Sequence, residues 1–196
     1  MLVQVAVVAL LSLIDSPYPR LAPLQNLPTL AICALIWLGL RQWPLPFRAV
    51  ASICLFLTLH TIGGRYAYSF VPYDQWLGAL GLPPLSESLG LERNSWDRLV
   101  HFCFGLLLTY PILCWLQLHR GLSARWSAYI AVEFVLAGSA LYEIFEWLLT
   151  VFMAGPAALE YNGQQGDVWD AQKDMALAFL GAITAVFIVR LRARRT

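Results

Sequence analysis

Within 196 residues, 59% are hydrophobic and only 13% charged, and the mean hydropathy is +0.63, so a soluble domain would lack the charge to cover its surface. The bilayer is the implied solvent. A net charge of +1 excludes the basic character of a nucleic-acid binder, and Cys33, Cys54, Cys103 and Cys114 lie in apolar stretches without a CxxC pair, as packing residues do.

The predicted fold is all-α: a polytopic bundle of about six transmembrane helices in a single domain over residues 1–196. The first apolar run, Leu2 to Ile14, has no positive n-region and no small-residue cleavage pattern before Asp15, so it reads as a short helix and not a signal peptide. Its length covers about two-thirds of a hydrocarbon core of about 30 Å. Further spans are expected at about Asn26–Trp43, Phe47–Ile62, Asp97–Leu118, Trp126–Met153 and Trp169–Arg190. Pro17, Pro19 and Pro23, Trp43-Pro44, Pro83-Pro84, His119-Arg120-Gly121, Gly155-Pro156 and Gly163 to Gly166 punctuate them. Residues 72–96 form the longest polar connection and are expected on the membrane surface as a loop.

Placing both termini in the cytoplasm gives the inner side Arg41, Arg48, Arg120, Arg125, Arg190, Arg192, Arg194 and Arg195. The outer side then holds Arg20, Arg65, Arg93, Arg98 and Lys173. Of the 12 acidic residues only Glu133 falls in the cytoplasmic half on this topology. Glu133 and His119 are read as structural, and Tyr66, Tyr68, Trp76, Trp96, Trp147 and Trp169 as the outer aromatic belt.

Several segments feed one membrane level. His60 sits close to the outer end of the third helix and is followed by Gly63-Gly64, where close helix approach is expected, as at Gly105. Asp97 and His101, four residues apart, share a helical face at the start of the fourth. Glu143 and Glu146 stack on the fifth; Asp170 and Asp174 lie one turn apart on the sixth, just after Asp167. With the fifth helix ending near Met153, Glu143 lies roughly 15 Å inside it. A charge at that depth is costly unless paired, protonated or bound to a cation. Six carboxylates here face the cations Arg65, Arg98 and Lys173. That imbalance, with two imidazoles, suits one divalent metal, whether Zn, Mn, Fe or Mg.

The chain resembles the YjdF-type bacterial inner-membrane proteins, a family of unknown function, from about Leu59 to Gly181. The resemblance is carried by His60-x-x-Gly-Gly-x-Tyr-x-Tyr, Asn94-x-x-Asp-Arg-x-x-His-Phe-x-Phe-Gly-Leu, the Glu143/Glu146 pair and Gln165-Gly-Asp-x-Trp-Asp-Ala-Gln-Lys-Asp-Met. It implies a multi-pass protein of the bacterial inner membrane and no particular reaction. A fainter similarity is to VanZ-like membrane proteins, whose Asp-Lys-x-x-His helix start Asp97-Arg98-Leu99-Val100-His101 resembles, with Arg in place of Lys. Asp170-x-x-x-Asp174 resembles their later acidic helix, with Asp where Asn is commoner.

The residues support three readings. In the first, a membrane enzyme acts on a lipid-linked or amphipathic substrate at the outer face. Asp97, His101, Glu143, Asp170 and Asp174 hold the metal, Glu146 or His60 is the general base, and Arg65, Arg98 and Lys173 hold an anion. In the second, the carboxylates form an ion or proton path. In the third, they fix helix packing in a scaffold. Each residue also has a plain structural reading: Asp97 as a helix cap with His101 a buried hydrogen-bonded group, and Asp170 and Asp174 as acids favoured by a helix dipole.

Overall fold

The computed structural model describes residues 1–152 and 164–193. The described regular structure is helical throughout: α1 (Leu2–Leu13), α2 (Ala22–Gln42), α3 (Phe47–Arg65), α4 (Tyr73–Ala79), α5 (Leu85–Leu89), α6 (Trp96–Arg120), α7 (Ala124–Phe152) and α8 (Asp170–Ala193). Five of these, α2, α3, α6, α7 and α8, are long and apolar enough to cross a membrane. The sixth apolar helix, α1, has 12 residues, which extend about 18 Å. It is therefore shorter than the other five, as its short apolar run foretells.

Helix boundaries differ from expectation where proline and glycine mislead. α2 starts at Ala22, four residues before Asn26, because Pro23 occupies the first turn, where a missing N–H costs nothing. Pro28 is carried inside the same helix. α3 continues through Gly63 and Gly64 to Arg65. Both glycines meet neighbours: a Cβ at Gly63 would stand 2.7 Å from the Tyr68 ring, and one at Gly64 2.7 Å from Asn26 Oδ1. The 72–96 connection is not merely a loop, since it contains α4 and α5. The Asp74 carboxylate on α4 accepts the Leu85 and Ser86 N–H groups, at 2.7 and 3.1 Å, and so caps α5. The Ser86 hydroxyl above all, and then these amides, hold Asp74 below the usual carboxylate range. Met153, Gly155-Pro156, Gly163, Arg194 and Arg195, named in the sequence reading, lie outside the described residues.

α6 is the central helix, packing on α3 on one side and on α7 and α8 on the other, while α1 and α2 pack on each other and on α3. The tightest crossing is α6 on α8. A Cβ at Gly105 would stand 1.9 Å from the Ala178 carbonyl oxygen, and one at Gly181 2.1 Å from that of Phe102. In a bilayer, where burying apolar surface between helices gains little, such backbone contact is a main source of association. Small residues Ala178, Ala182 and Ala185, all buried, line the α8 side. Two members of the expected aromatic belt belong instead to the interior. Tyr68 and Trp96 are buried against Val71 and Val100, and the Trp96 indole N–H donates to the Leu59 carbonyl. Trp76, Trp147 and Trp169 are exposed.

Candidate functional site

The α6–α8 crossing decides where the acidic groups meet. On α6, Asp97, His101, Gly105 and Thr109 recur at intervals of four residues and are all buried; on α8, Asp170, Asp174, Ala178 and Ala182 do the same. Because Gly105 seats on Ala178, the residues one turn earlier in each helix, His101 and Asp174, are brought to one level, with Asp97 and Asp170 a turn beyond them. The two helices run parallel, so both N-termini, with their unsatisfied N–H groups and positive dipole ends, point at this cluster of acids. Asp97 is not the cap of α6. The cap position is Ser95, and the residue before it, Asn94, accepts the Trp96 N–H on its Oδ1 at 3.1 Å.

Asp97, His101 and Asp174 each offer a ligand atom, and the three atoms lie within 4.8 Å of one another. The Asp97 and Asp174 carboxyl groups thus stand side by side in this set. Two ionised carboxylates this close repel each other unless a proton or a cation lies between them. His101 Nε2 is 3.7 Å from Asp97 Oδ1 and 3.3 Å from Glu143 Oε1. Its other ring nitrogen, Nδ1, is 3.4 Å from the buried Ser139 hydroxyl, which fixes the ring as the outer partners of metal-bound histidines do. Asp174 Oδ1 and Glu143 Oε1 are buried and make no hydrogen bond among the described residues. Glu146, also buried, lies next to Tyr142, which hydrogen-bonds it.

The cations are arranged differently from expectation. Arg93, half-buried beside Asp170, pairs with that carboxylate and approaches Asp97 Oδ2 at 3.9 Å. Arg98 pairs with Asp167 and lies 3.8 Å from Asp170. Lys173 Nζ meets Asp167 at 2.6 Å. The Lys173 hydrogen bond, then the Trp169 N–H and the nearby charges, hold Asp167 below the usual carboxylate range. Arg65 does not join them. Its guanidinium donates to the carbonyls of Ser12, Ile14 and Asp15 at 2.8, 2.9 and 3.3 Å, closing the end of α1. With Arg93 replacing Arg65, three cations match Asp97, Asp167 and Asp170. Glu143, Glu146 and Asp174 make no ion pair with an arginine or lysine among the described residues; His101 lies beside Glu143, and Tyr142 hydrogen-bonds Glu146.

His60 stands apart from the ligand atoms. Tyr68 hydroxyl contacts its Nδ1, and Nε2 lies 3.4 Å from the Gln25 carbonyl. It nevertheless shares with Asp97, His101, Ser139 and Tyr142 a cavity of about 200 Å³ whose other walls, Phe56 and Phe104 among them, are apolar. A separate polar hollow of about 520 Å³ lies outside the cluster, lined by Arg93, Arg98, Gln165, Asp167 and Lys173.

Of the residues singled out in the sequence, Asp97, His101, Glu143, Glu146, Asp170 and Asp174 gather, with Arg98 and Lys173 at the rim and His60 across the cavity. Arg65 lies elsewhere. Sequence reasoning missed Arg93 and Ser139. Arg93 directly precedes the Asn94 string, four residues before Asp97, and that i, i+4 spacing to an acid is the one signal the sequence held. Reciprocal bonds join its neighbourhood to the start of α8: Asn94 N to Gln165 Oε1 at 3.0 Å, Gln165 Nε2 to Asn94 O at 3.1 Å, and Arg93 Nη1 to Gln164 O at 3.1 Å.

The described family of predicted membrane proteins DUF2238 matches residues 1–195. The chain is 36% identical over 173 residues to inner membrane protein YjdF of Escherichia coli (strain K12), covering 86% of this chain and 77% of that protein. No solved structure matches. The chain belongs to the DUF2238 family of predicted membrane proteins and is a multi-pass protein of the bacterial inner membrane.

Proposed function

We propose that this DUF2238 protein is a membrane-embedded hydrolytic enzyme that uses one divalent cation on a lipid-linked or amphipathic substrate. Asp97, His101 and Asp174 hold the cation, with Glu143 as a fourth ligand through the oxygen that lacks a hydrogen bond. Asp170 is tied to Arg93 and supports the site from its edge. The observation that carries the reading is the convergence of Asp97, His101 and Asp174 ligand atoms within 4.8 Å, beside buried Asp174 and Glu143 oxygens that lack a hydrogen bond among the described residues. A cation bound between those carboxylates supplies the missing charge.

A cation held there would supply an activated water, and Glu146 is the base placed to take its proton as the water attacks an ester or phosphoester centre. The bond to the leaving oxygen breaks, and the proton passes to that oxygen. His60, across the cavity, is the second acid–base group. Arg98 and Lys173 at the outer hollow favour an anionic head group, and the apolar cavity favours a chain. An outward-facing site, with both termini cytoplasmic, follows the arginine distribution.

A transport path has less support. Between the cluster and the far ends of α6 and α8, the Thr109 hydroxyl is spent on the Gly105 carbonyl, and Glu133 turns outward. Metal analysis of detergent-purified protein tests the proposal. One equivalent of divalent metal per chain is expected, lost in Asp174→Asn and Glu143→Gln variants that keep the wild-type circular dichroism. Absence of bound metal after loading with Zn, Mn and Mg refutes the metal-dependent reading.

A further inference from the structure

Away from the acidic cluster, the outer faces of α7 and α8 form a groove of about 510 Å³ that includes Arg125, Tyr129, Glu133, Ile183, Phe187 and Arg190. Glu133 is exposed and is the tenth residue of α7, about 14 Å along the helix from its start. Trp126 and Tyr129, exposed and packed edge to face, mark the membrane interface at this end, so Glu133 lies one turn deeper than the aromatic pair. Intramembrane carboxylates face a bundle interior or a polar cavity, because a charge turned toward acyl chains is costly. Glu133 faces outward and makes no hydrogen bond or ion pair among the described residues. Arg125 and Arg190, in the same groove, also make no ion pair among them.

The groove therefore presents one acid and two bases, all unpaired, on an apolar membrane-facing surface. A phospholipid is a poor occupant. Its phosphate suits the arginines, but its chains run down past Glu133 and leave the carboxylate in hydrocarbon. A second copy of the chain satisfies both signs at once. Under a two-fold axis along the membrane normal, each groove faces its twin at equal depth, and every acid–base pair forms twice. We propose that the α7–α8 face is a homodimer interface in which Glu133 of each copy pairs with Arg125 and Arg190 of the other. Interhelical polar pairing of this kind holds transmembrane helices together where hydrophobic burial adds little. The acidic cluster lies at the other end of the bundle, so the dimer is independent of the metal-site reading.

Single-molecule photobleaching of fluorescently labelled full-length protein in liposomes, over a range of protein densities, provides the test. Two-step bleaching is expected for the wild type, with dimer affinity about tenfold weaker in Glu133→Gln. Combining Glu133→Arg with Arg125→Glu and Arg190→Glu should restore the dimer that Glu133→Arg alone abolishes. Circular dichroism and thermal melting of each variant exclude misfolding as the cause. Single-step bleaching of the wild type at every density overturns the proposal. So does a dimer that Glu133→Gln and Arg190→Gln leave intact. A wild-type monomer that retains a phospholipid in native mass spectrometry, and releases it on Arg125→Gln, overturns it in favour of a lipid.

Discussion

Helices α1 to α3 bury Ser12, Gln25, Asn26, Thr29 and Thr61, whereas α6 to α8 bury Asp97, His101, Glu146, Asp170 and Asp174. In the first group the polar atoms are neutral and mostly spent locally. Ser12, Thr29 and Thr61 donate to carbonyls three or four residues earlier, and Asn26 donates to Ser12. Such bonds cost little to keep in a bilayer and ask for no counter-charge. In the second group the carboxylates outnumber their cations, and their partners come not from another helical turn but from a neighbouring helix or, on the proposed reading, a bound ion. One half of the bundle is built to pack; the other carries unbalanced charge, the condition for chemistry.

The largest expected contrast is between two arginines. Arg93→Met removes the cation from two buried carboxylates and should destabilise the fold by about 3–5 kcal/mol. Arg65→Met, at the exposed end of α1, loses only hydrogen bonds to carbonyls that water can replace, at about 1–2 kcal/mol. Chemical denaturation in mixed micelles measures both, and equal losses would erase the distinction between the halves.

Glycine gives the next contrast. Gly105→Ala forces α6 off α8 and should cost about 3 kcal/mol, the upper end for overpacking, and scatter the ligand set. Gly39→Ala in α2 meets nothing within 4 Å and should stabilise by about 0.5–1 kcal/mol. Thermal melting with metal titration reads both effects.

Opposite charge edits should then act with opposite signs. In metal-free protein, Asp174→Asn relieves repulsion with Asp97 and should stabilise by about 1 kcal/mol while metal affinity falls. Asn26→Asp buries a new charge in the neutral half and should destabilise by about 2 kcal/mol or more. If Asp174→Asn instead lowers the melting temperature of metal-free protein, the carboxylate is structural.

The smallest effect lies in the loop before α8. Asp167 titrates below its ordinary value in the folded protein, so the tether to Lys173 and Arg98 contributes fully above the unfolded carboxylate pKa. That contribution is lost as pH falls through the lower folded value. The protection factor of the Trp169 amide, corrected for intrinsic exchange at each pH, should therefore be high at pH 6, lower near pH 3, and lower at pH 6 in Lys173→Ala. No corresponding acid response is expected where α1 meets α2.

Much of this was legible in the chain. Apolar runs of span length foretold the helices, since no other structure satisfies its own backbone polar groups in lipid. Four-residue spacing placed Asp97 with His101 and Asp170 with Asp174, because 3.6 residues make a turn. The helix ends were less legible: Pro23 read as a turn signal yet sits in a first turn, and α3 runs three residues past Ile62, through the Gly63-Gly64 pair that was rightly read as a close approach. Arg65 and Arg93 illustrate the same limit for the site. Both are single arginines beside a helix end, and composition does not distinguish them.

The sequence by itself determined that this is a helical membrane protein with acids and histidines near one level, because hydropathy and helical period are local properties of the chain. Tertiary structure decided which acids touch, which cation serves which carboxylate, and that Glu133 faces outward. Those outcomes depend on how far each helix is rotated and how closely α6 and α8 approach. That approach is set by Gly105 against Ala178, a contact between residues 73 positions apart.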